Sequence, residues 1–262
     1  MSTLGVVVPA FRPDRRRLEA YLRAVAEELQ PDALRVEIDD PNPAVLDDIN
    51  AFDIPALEIN AVPYRRGKGA AVTAGFEALD TDRLAFADAD GSTAASELRR
   101  VVDALDDADV AAGSRRHPDA RVTSHQTLAR RYLGDGFAWL ARRLLDADLH
   151  DFQCGAKAVS AEAWEAVRVH LYEPGFAWDV ELLAMAAALG LDIEEVPIEW
   201  EDKPGSTVDP LSTAVDLGTA LLTARHRSKR IQDSRLHDAI AATREETALV
   251  DQPTDAQGGH GQ

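Results

Sequence analysis

The fold of this chain is constrained most by the alternation of short apolar runs with stretches of helical periodicity. Between the runs, apolar residues recur at helical spacing, as in Leu18, Leu22, Val25 and Leu29. This alternation predicts an α/β fold with a mostly parallel, layered central sheet. The runs that we interpret as strands are LGVVVPA (4–10), LRVEID (34–39), IPALEIN (54–60), RLAFAD (83–88), ADVAAGS (108–114) and IEEVPIEW (193–200).

The second half of the chain has a different pattern. Residues 125–147 form one long helical pattern rich in arginine, and a final helix is predicted from about Leu211 to the basic stretch RHRSKR. The polar stretch after residue 240 is typical of a disordered tail. We therefore predict one domain over residues 1–240, with halves at 1–115 and 116–210 and a C-terminal helix over 211–240, followed by a disordered tail over 241–262.

The charge of the chain excludes one class of partner. Of its 262 residues 46 are acidic and 28 are Lys or Arg, so the formal net charge is −18. Because proteins bind the nucleic-acid backbone through dense lysine and arginine, nucleic acid is not an expected partner. Such an acidic, lysine-poor composition is typical of proteins from salt-loving archaea, where molar salt shortens the Debye length to about 3 Å and screens self-repulsion.

Cysteine usage and apolar patterning lead to an expected location. Cys154 is the only cysteine, so an internal disulfide and a zinc–cysteine cluster are excluded. No apolar run approaches the ~18 residues of a membrane span, and no signal peptide is visible. We expect a cytoplasmic protein, or one held peripherally on the inner face of the cell membrane.

The stretch FADADGST (86–93) ends an apolar run in two aspartates one residue apart. In one interpretation, Asp88 and Asp90 close a strand in an Asp-Gly turn, and Ser92 or Thr93 caps the next helix. In the other, the pair serves a divalent cation, because Mg²⁺ and Mn²⁺ commonly take one or two carboxylates plus substrate phosphates. Asp90 would then bind the ion and Asp88 would reach a ribose hydroxyl. Ligands of parallel sheets bind beyond the carboxyl ends of strands, which favours the second interpretation.

The stretch RRGKGAAVTAGF (65–76) places Lys68 between two glycines at the start of a predicted helix. The backbone N–H groups and the helix dipole at such a position favour an anion, and the lysine adds a point charge. A surface turn is the alternative. Lysine is rare in this chain, yet Lys68, Lys157 and Lys203 all lie within two residues of a glycine. This distribution favours positions that need a compact ammonium group.

The motifs together resemble a known family. Their order is VVVPAF, an acidic pair after the second strand, GKGAAV, FADADGST, GSRR, DFQCGAK, FAWDVELL, and VPIEW followed by PGS. Over residues 4–208 this order resembles the family-two glycosyltransferases of GT-A fold, a Rossmann-like α/β/α sandwich. The most similar branch comprises the dolichyl-phosphate glucosyl- and mannosyltransferases. The resemblance implies a metal (Mg²⁺ or Mn²⁺), a nucleoside-diphosphate sugar as donor, and inversion at the anomeric centre.

The resemblance assigns the first half to the nucleotide sugar and the second half to the acceptor. In the first half it places Pro9, Ala10 and either Asp39 or Asp40 around the base and ribose, Lys68 near the base or phosphates, Asp88 near the ribose and Asp90 on the metal. In the second half it places Arg115 and Arg131 at the acceptor phosphate, Gln153 near the reacting groups and Asp179 at the acidic position of the family's FAFDVEL motif.

Two departures from the family pattern bear on the donor. The usual Asn-Glu after the first strand is Arg12-Pro13 here. The usual PGSK ends in Thr207, so the family's lysine is missing; Lys203 would replace it from the other side of the turn. The identity of the donor therefore stays open.

The chemistry of the acceptor bears on the role of Asp179. A sugar hydroxyl would need a general base, whereas a phosphate acceptor, with a second pKa near ~6, arrives largely ionised and needs arginines more than a base. The arginines at 115–116 and 130–131 fit that demand, the alternative being that they pair with surface acids. Whether Asp179 acts as a base stays open. The C-terminal helix either packs on the body or lies on the membrane that holds a lipid acceptor.

We therefore expect a metal-dependent inverting glycosyltransferase that moves a hexose from a nucleoside-diphosphate sugar to a polyprenyl (dolichyl) phosphate, in the service of cell-surface protein glycosylation. One alternative is a phosphohydrolase of the DxDGT type with Asp88 as nucleophile, although three predicted strands precede Asp88 and that motif usually follows the first strand. Another is an inactive protein that binds nucleotide sugar, which the departures at 12–13 and 207 would suit.

Overall fold

The computed structural model describes residues 2–122, 128–201, 210–232 and 247–252, with the side chains of 128–135 and 210–217 outside the description. The predicted roles of Arg131 and Lys203, and the Pro204–Thr207 turn, therefore concern side chains outside the described residues.

A seven-stranded sheet forms the centre of the molecule. Its strands lie in the order β3-β2-β1-β4-β7-β5-β8, and every neighbouring pair is parallel except those of β7, which runs antiparallel to both β4 and β5. The strands are β1 (Leu4–Phe11), β2 (Ala33–Asp39), β3 (Leu57–Val62), β4 (Arg83–Ala87), β5 (Val110–Ser114), β7 (Ala156–Ser160) and β8 (Ile193–Pro197); β6 (Arg121–Val122) and β9 (Glu199–Trp200) pair separately. This confirms the predicted mostly parallel sheet.

Helices cover both faces of the sheet. Strand β1 shows why: Val6 and Val8 pack against one apolar cluster, and Val7 packs against the other, as the alternation of side chains along a strand requires. Helices α1 and α4 lie on the first face, and α3, α6 and α7 on the second. The helices are α1 (Arg15–Leu29), α2 (Pro43–Asn50), α3 (Lys68–Glu77), α4 (Ala95–Asp103), α5 (Leu128–Leu144), α6 (Ala161–Val167), α7 (Trp178–Leu189) and α8 (Pro210–Ile231).

Three strands differ from their predictions. The third begins at Leu57 and not at residue 54. The run 193–200 divides into β8 and β9 around Ile198, whose N–H donates to the Ser114 carbonyl at 3.1 Å. Strand β7, AKAVS, was not predicted. It is short, its alanines have a weak strand preference, and four of its five residues are buried, so apolar and polar side chains do not alternate along it.

Helix α8 packs on the body of the protein along its described part. Leu221 and Ala224 are buried, while Leu222 is 62% exposed. Its basic end contacts residues in or next to helices α5 and α7. Arg225 donates to the Leu144 carbonyl at 2.8 Å, Arg227 pairs with Glu181, and Lys229 pairs with Asp146 at 2.5 Å. Among the described helices, none combines the length and apolar character that crossing a bilayer demands.

Part of the segment predicted as a disordered tail is ordered. Residues Leu249–Asp251 form a short 3-10 turn, and the Leu249 N–H donates to the Leu171 carbonyl at 2.8 Å. The Leu249 side chain is buried in the cluster on the α3 and α7 face. The prediction of a disordered tail depended on composition, and a single apolar contact within a polar segment does not change the composition enough to be detected.

Candidate active site

One edge of the sheet collects the functional side chains. The parallel strands β1, β2, β4 and β5 all end there. Because β7 is antiparallel, its beginning lies at this same edge: Ala156 pairs with Ala87 of β4, and Lys157 pairs with Ala112 of β5. The loop that precedes β7 therefore joins the ends of the parallel strands, and this edge is the place where ligands bind in open α/β sheets.

Two lysines and two aspartates form a compact cluster at this edge, which we call the lysine–aspartate cluster (Lys68, Asp88, Lys157 and Asp179). The Lys68 Nζ donates to Asp179 Oδ2 at 2.7 Å and lies 2.9 Å from Asp88 Oδ1. The Lys157 Nζ donates to Asp179 Oδ1 at 2.9 Å and to the Cys154 carbonyl at 2.6 Å. Each oxygen of Asp179 is thus held by a different ammonium group.

Four different elements supply the cluster. Lys68 is the first residue of α3, Asp88 follows β4 directly, Lys157 is the second residue of β7 and Asp179 is the second residue of α7. The ring of Phe86 lies beneath the two ammonium groups, with its centroid 5.0 Å from the Lys68 Nζ and 6.0 Å from the Lys157 Nζ. A ring face this close attracts cations and supports their burial.

The surroundings set the protonation states of the cluster. Burial by itself would raise the pKa of Asp179, but Lys157 and Lys68 outweigh it and lower that pKa. Burial likewise would lower the pKa of Lys68, but Asp179 and Asp88 raise it. The pKa of Asp88 is raised by its removal from water and by the nearby Asp179 and Asp90, against the effect of Lys68. The ionised cluster carries two positive and two negative charges and is neutral overall, and Asp179 is a poor proton acceptor because both of its oxygens are engaged.

Asp88 lies directly against the backbone of Gly155, the residue before β7. Its N–H donates to the Gly155 carbonyl at 2.9 Å, and a Cβ added to Gly155 would lie 1.8 Å from Asp88 Oδ2. Only glycine leaves room for the carboxylate here. The Asp88 side chain nevertheless stays 43% exposed, so it links the buried cluster to solvent.

Asp90 occupies the turn after β4 and is exposed. Its Oδ1 accepts the Ser92 N–H at 2.9 Å, and Gly91 takes a positive φ of 67°. The predicted Asp-Gly turn is therefore present. The capping by Ser92 or Thr93 is wrong: helix α4 is preceded by Ala94 without a side-chain cap, and Thr93 forms a β-bridge with Trp200.

The acid pair fits a divalent cation that a substrate helps to bind. Within the described residues no three His, Cys, Asp or Glu side chains converge into a ready-made metal site. Mg²⁺ and Mn²⁺ do not require one, since one or two carboxylates plus substrate phosphates suffice. Asp88 and Asp90 offer accessible carboxylate oxygens at the strand end, which are the hard ligands these ions prefer.

The GKG motif does not form the predicted backbone cradle for an anion. The Gly67 N–H donates to Asp39 Oδ2 at 2.9 Å, the Gly69 N–H to the Gly175 carbonyl at 3.2 Å and the Ala70 N–H to the Pro174 carbonyl at 3.1 Å. These amides are occupied by acceptors of the protein itself, so this part of the prediction is wrong. The glycines serve close packing, because a Cβ at Gly67 or Gly69 would lie 2.4 Å from a carbonyl oxygen of the 173–175 loop.

The acidic pair after β2 divides into a buried and an accessible member. Asp39 is buried and accepts the Arg66 N–H at 2.7 Å and the Arg66 Nε at 2.8 Å. Asp40 adopts a positive φ of 47° and pairs with Arg12 at the surface. Of the two alternatives for the nucleotide pocket, only Asp40 is accessible. Pro9 and Ala10 lie in β1 and are buried behind this region.

An open cavity of about 430 Å³ lies beside Asp40, between the loops that follow β1 and β2. Its walls combine the Arg12–Asp40 ion pair with rigid apolar surface from three prolines and a valine. The lining residues are Arg12, Pro13, Asp40, Pro41, Asn42, Pro43 and Val45.

At the end of β5, Arg115 is locked to Asp151. The Arg115 Nε donates to Asp151 Oδ2 at 2.7 Å and its Nη2 to Oδ1 at 3.0 Å, a bidentate pair. Burial would raise the pKa of Asp151, but Arg115 lowers it to about 2. The Gln153 N–H donates to Asp151 Oδ1 at 3.0 Å, which holds Gln153 half-buried in the same loop.

Sequence reasoning missed three residues that organise this edge. Lys157 was noticed as a rare lysine near glycine but was given no role. Asp151 and Arg66 were not identified, and both act by fixing neighbours: Asp151 holds Arg115, and Arg66 joins Asp39 to the buried Glu37, with its Nη1 2.8 Å from Glu37 Oε2. Arg66 lies in RRGKGAAVTAGF and Asp151 in DFQCGAK, but the local sequence does not indicate their roles, because each takes its role from a distant partner.

The chain matches the family model described as glycosyl transferase family 2 over residues 6–167. It is 32% identical over 233 residues to glycosyltransferase AglD of Haloferax volcanii, covering 84% of this chain and 36% of that protein. It is also 32% identical over 169 residues to dolichyl-phosphate beta-glucosyltransferase of Mus musculus, covering 62% of this chain and 52% of the mouse protein. The chain thus spans about a third to a half of the length of these relatives.

Solved structures resemble the fold as well. Glucosyl-3-phosphoglycerate synthase of Mycobacterium tuberculosis, crystallised with Mn²⁺, UDP and glucosyl-3-phosphoglycerate, superposes with a TM-score of 0.61 at 18% identity, over 85% of this chain and 80% of that one. The same enzyme with Mn²⁺, UDP-glucose and phosphoglyceric acid gives a TM-score of 0.63 at 15% identity, over 86% and 80%. At these identities the likeness shows the fold alone, and it confirms the predicted GT-A architecture.

Proposed function

This chain belongs to glycosyl transferase family 2, and from that premise we propose that it transfers a hexose from a nucleoside-diphosphate sugar to a polyprenyl phosphate. The observation that carries the proposal is the contact of Lys68 with Asp88 at the carboxyl edge of the sheet, with the exposed Asp90 two residues further along the same turn. A cation and a pair of metal-binding acids side by side suit a diphosphate leaving group.

The cavity beside Asp40 suits the nucleotide base. Asp40 offers carboxylate acceptors and Arg12 offers guanidinium donors at one edge, and the prolines offer flat apolar walls. A carboxylate next to a guanidinium complements a ring N–H next to a carbonyl, which uracil and guanine present and adenine and cytosine lack. We therefore expect UDP or GDP sugars as donors, and the mycobacterial structural neighbour was crystallised with UDP.

Charge on the departing diphosphate is the main obstacle of the reaction. A divalent metal held by Asp90, with Asp88 beside it, would neutralise the diphosphate as a Lewis acid. Lys68 would donate to the same diphosphate, since neighbouring Asp179 and Asp88 raise its pKa and keep its ammonium group charged. We assign Gln153, in the loop before β7, to the surroundings of the reacting groups, and Asp88 to the ribose.

The acceptor side fits a phosphate better than a hydroxyl. Both oxygens of Asp179 are held by lysines, so this residue organises cations and does not abstract a proton. An ionised phosphate needs no base. We assign its binding to Arg115 at the end of β5, whose bidentate pair with Asp151 uses Nε and Nη2 and fixes the side chain at this edge. We extend this role to Arg131 on α5. Because relatives of this chain are named for dolichyl phosphate, we propose a polyprenyl phosphate acceptor, met by peripheral contact at the inner face of the membrane.

The test is transfer itself. The protein is incubated with radiolabelled UDP-glucose or GDP-mannose, Mn²⁺ and dolichyl phosphate, and label is counted in the organic extract. We expect label in the extract with one of the donors, and none when dolichyl phosphate is omitted. Nucleotide binding without transfer to lipid would support instead the inactive binding protein. Release of inorganic phosphate through an aspartyl-phosphate at Asp88 would support the phosphohydrolase.

The metal role of Asp90 has a separate test. Asp90→Asn keeps an acceptor for the Ser92 N–H but removes the charge, so the turn should persist while Mn²⁺ binds more weakly. We expect calorimetry to show UDP affinity that rises with Mn²⁺ in the unaltered protein and rises much less in the variant. Asp107→Asn, a change at an exposed acid that precedes β5 and so lies toward the opposite edge of the sheet, is the matched control. Equal Mn²⁺ dependence in Asp90→Asn would remove Asp90 from the metal site.

A further inference from the structure

Lys157 carries a charged ammonium group in the interior of the protein, which is unusual. Its side chain is only 1% exposed, and it contacts the Cys154 carbonyl at 2.6 Å, Asp179 at 2.9 Å and the face of Phe86 in the interior. Burying an ammonium group is costly unless it is paired. Most cations of this chain are arginines, so a buried lysine at this position calls for a specific function.

The two lysines of the cluster differ in their connection to solvent. Lys68 contacts Asp179 in the interior and also Asp88, whose side chain is 43% exposed. Lys157 contacts the other oxygen of Asp179, and within the part of the chain that the structure describes no ion pair joins it to an accessible carboxylate. Lys68 is therefore the cation that an incoming anion can attract, and Lys157 is the one that stays in place.

This difference matters when a diphosphate arrives. If Lys68 turns from Asp179 toward the diphosphate, the buried Asp179 loses one of its two cations. With Lys157 present, Asp179 keeps a full ion pair. Without Lys157, Asp179 would be left as an uncompensated buried charge, so it would hold Lys68 and compete with the ligand.

We propose that Lys157 is a positioning residue that neutralises Asp179 and thereby frees Lys68 to bind the diphosphate of the donor. The proposal rests on the proposed function, because it assumes that a nucleoside diphosphate binds next to Lys68. In this proposal Lys157 does not contact the ligand. It affects ligand affinity through Asp179, which it neutralises, and through Lys68, which Asp179 would otherwise retain.

The experiment measures UDP binding by calorimetry at constant Mn²⁺ in four proteins: unaltered, Lys157→Met, Asp179→Asn and the double variant Lys157→Met/Asp179→Asn. We expect Lys157→Met to weaken UDP binding by roughly tenfold or more, since the stranded carboxylate retains Lys68. We expect the double variant to recover most of that loss, because the competing carboxylate is gone. Lys229→Met, on the surface of α8, is the matched lysine control and should bind UDP as the unaltered protein does.

The pattern of outcomes separates the possibilities. A merely structural role for Lys157 would weaken binding equally with or without Asp179, so failure of the double variant to recover would overturn the proposal. If Lys157→Met does not fold, the comparison of Asp179→Asn with the double variant decides: equal UDP affinity supports the proposal, and a further loss overturns it. Absence of UDP and GDP binding in the unaltered protein would instead refute the proposed function, and this inference with it.

Discussion

At the scale of single residues, Gly155 shows how a small side chain shapes a site. It leaves the space that the Asp88 carboxylate fills, at a distance where a Cβ would overlap Oδ2. Because the atom in conflict is the end of a side chain and not backbone, the fold can absorb a methyl group by moving Asp88. The contact therefore matters more for ligand binding than for folding.

We predict that Gly155→Ala displaces Asp88 and separates it from Lys68. The free energy of unfolding in urea should change by no more than about 2 kcal/mol, within the ordinary range for a single substitution. Binding of UDP in the presence of Mn²⁺ should weaken by roughly tenfold, or about 1.4 kcal/mol, in calorimetry.

Gly136→Ala is the control for this substitution. Gly136 lies in helix α5, and a Cβ there would meet nothing within 4 Å. Alanine is the better helix former by up to about 1 kcal/mol, so this variant should be slightly more stable and should bind UDP normally. Unchanged UDP binding in Gly155→Ala would mean that the position of Asp88 is not critical.

From the pair of Arg115 and Asp151 we predict how the free energy of unfolding depends on pH. The pKa of Asp151 is lowered from 3.8 to about 2 in the folded protein. A carboxyl group with a depressed pKa contributes stability above its unfolded pKa and loses it as the pH falls through the folded pKa. The shift corresponds to roughly 2 kcal/mol, fully present at pH 7, about half lost near pH 3 and lost below pH 2.

Urea unfolding of the unaltered protein and of Asp151→Asn tests this. The variant should be less stable at pH 7, and the difference between the two free energies of unfolding should shrink as the pH is lowered from about 5 to about 3. Glu165→Gln, at an exposed helix pair, should show little difference at any pH. A constant difference for Asp151→Asn across this range would contradict the ionic role of the pair.

At the scale of elements, β7 completes the candidate site. The parallel strands bring only their ends to the functional edge, which supplies Asp88 and Arg115. The antiparallel course of β7 delivers its first residues to that edge, and with them Gly155 and Lys157. One reversed strand thus supplies both the space for Asp88 and the inner cation of the cluster.

The ordered turn near the C-terminus is a second element with a measurable role. Leu249 is buried against the α3 and α7 face. We predict that Leu249→Ala destabilises the protein by about 2 kcal/mol or more in urea unfolding, as expected for a buried leucine. Leu222→Ala, on an exposed side of α8, is the matched control and should cost less than about 0.5 kcal/mol. Equal effects would show that the turn contributes nothing to folding.

At the scale of the whole molecule, the large negative net charge is expected to affect the stability of the folded state. A net charge of −18 places many like charges on a compact body. Self-repulsion destabilises the folded state, and salt screens it over distances that shrink from about 10 Å at 0.1 M to about 3 Å at 1 M.

We therefore predict that the melting temperature rises when KCl increases from about 0.1 M to about 2 M, because screening acts mainly on repulsion between exposed acids. Differential scanning calorimetry measures the shift. Sucrose at the same osmolality is the control for effects that do not depend on charge. A melting temperature that is flat or falls with KCl would contradict the expected adaptation to salt.

Local sequence patterns are enough to predict the α/β class, most strands of the sheet, the functional edge and the family. Periodicity of two or 3.6 residues records which face of an element is buried, and short motifs mark strand ends. The buried β7 carried no such signal and was missed. Local motifs also identified Asp88, Asp90 and Lys68 as candidate site residues, since these residues stand at the end of a predicted strand or the start of a predicted helix.

The partners of these residues follow only from the packing of the whole fold. Lys68 and Asp179 are 111 residues apart in the chain and Arg115 and Asp151 are 36 apart, and no local pattern specifies such pairs. The 173–175 loop accepts hydrogen bonds from Gly69 and Ala70, and Asp39 accepts one from Gly67. In the same way Arg66 pairs with the buried Asp39, and Lys157 pairs with Asp179. The physical reason is that hydrogen bonds and ion pairs depend on distances of about 3 Å, which are set only when distant elements pack together.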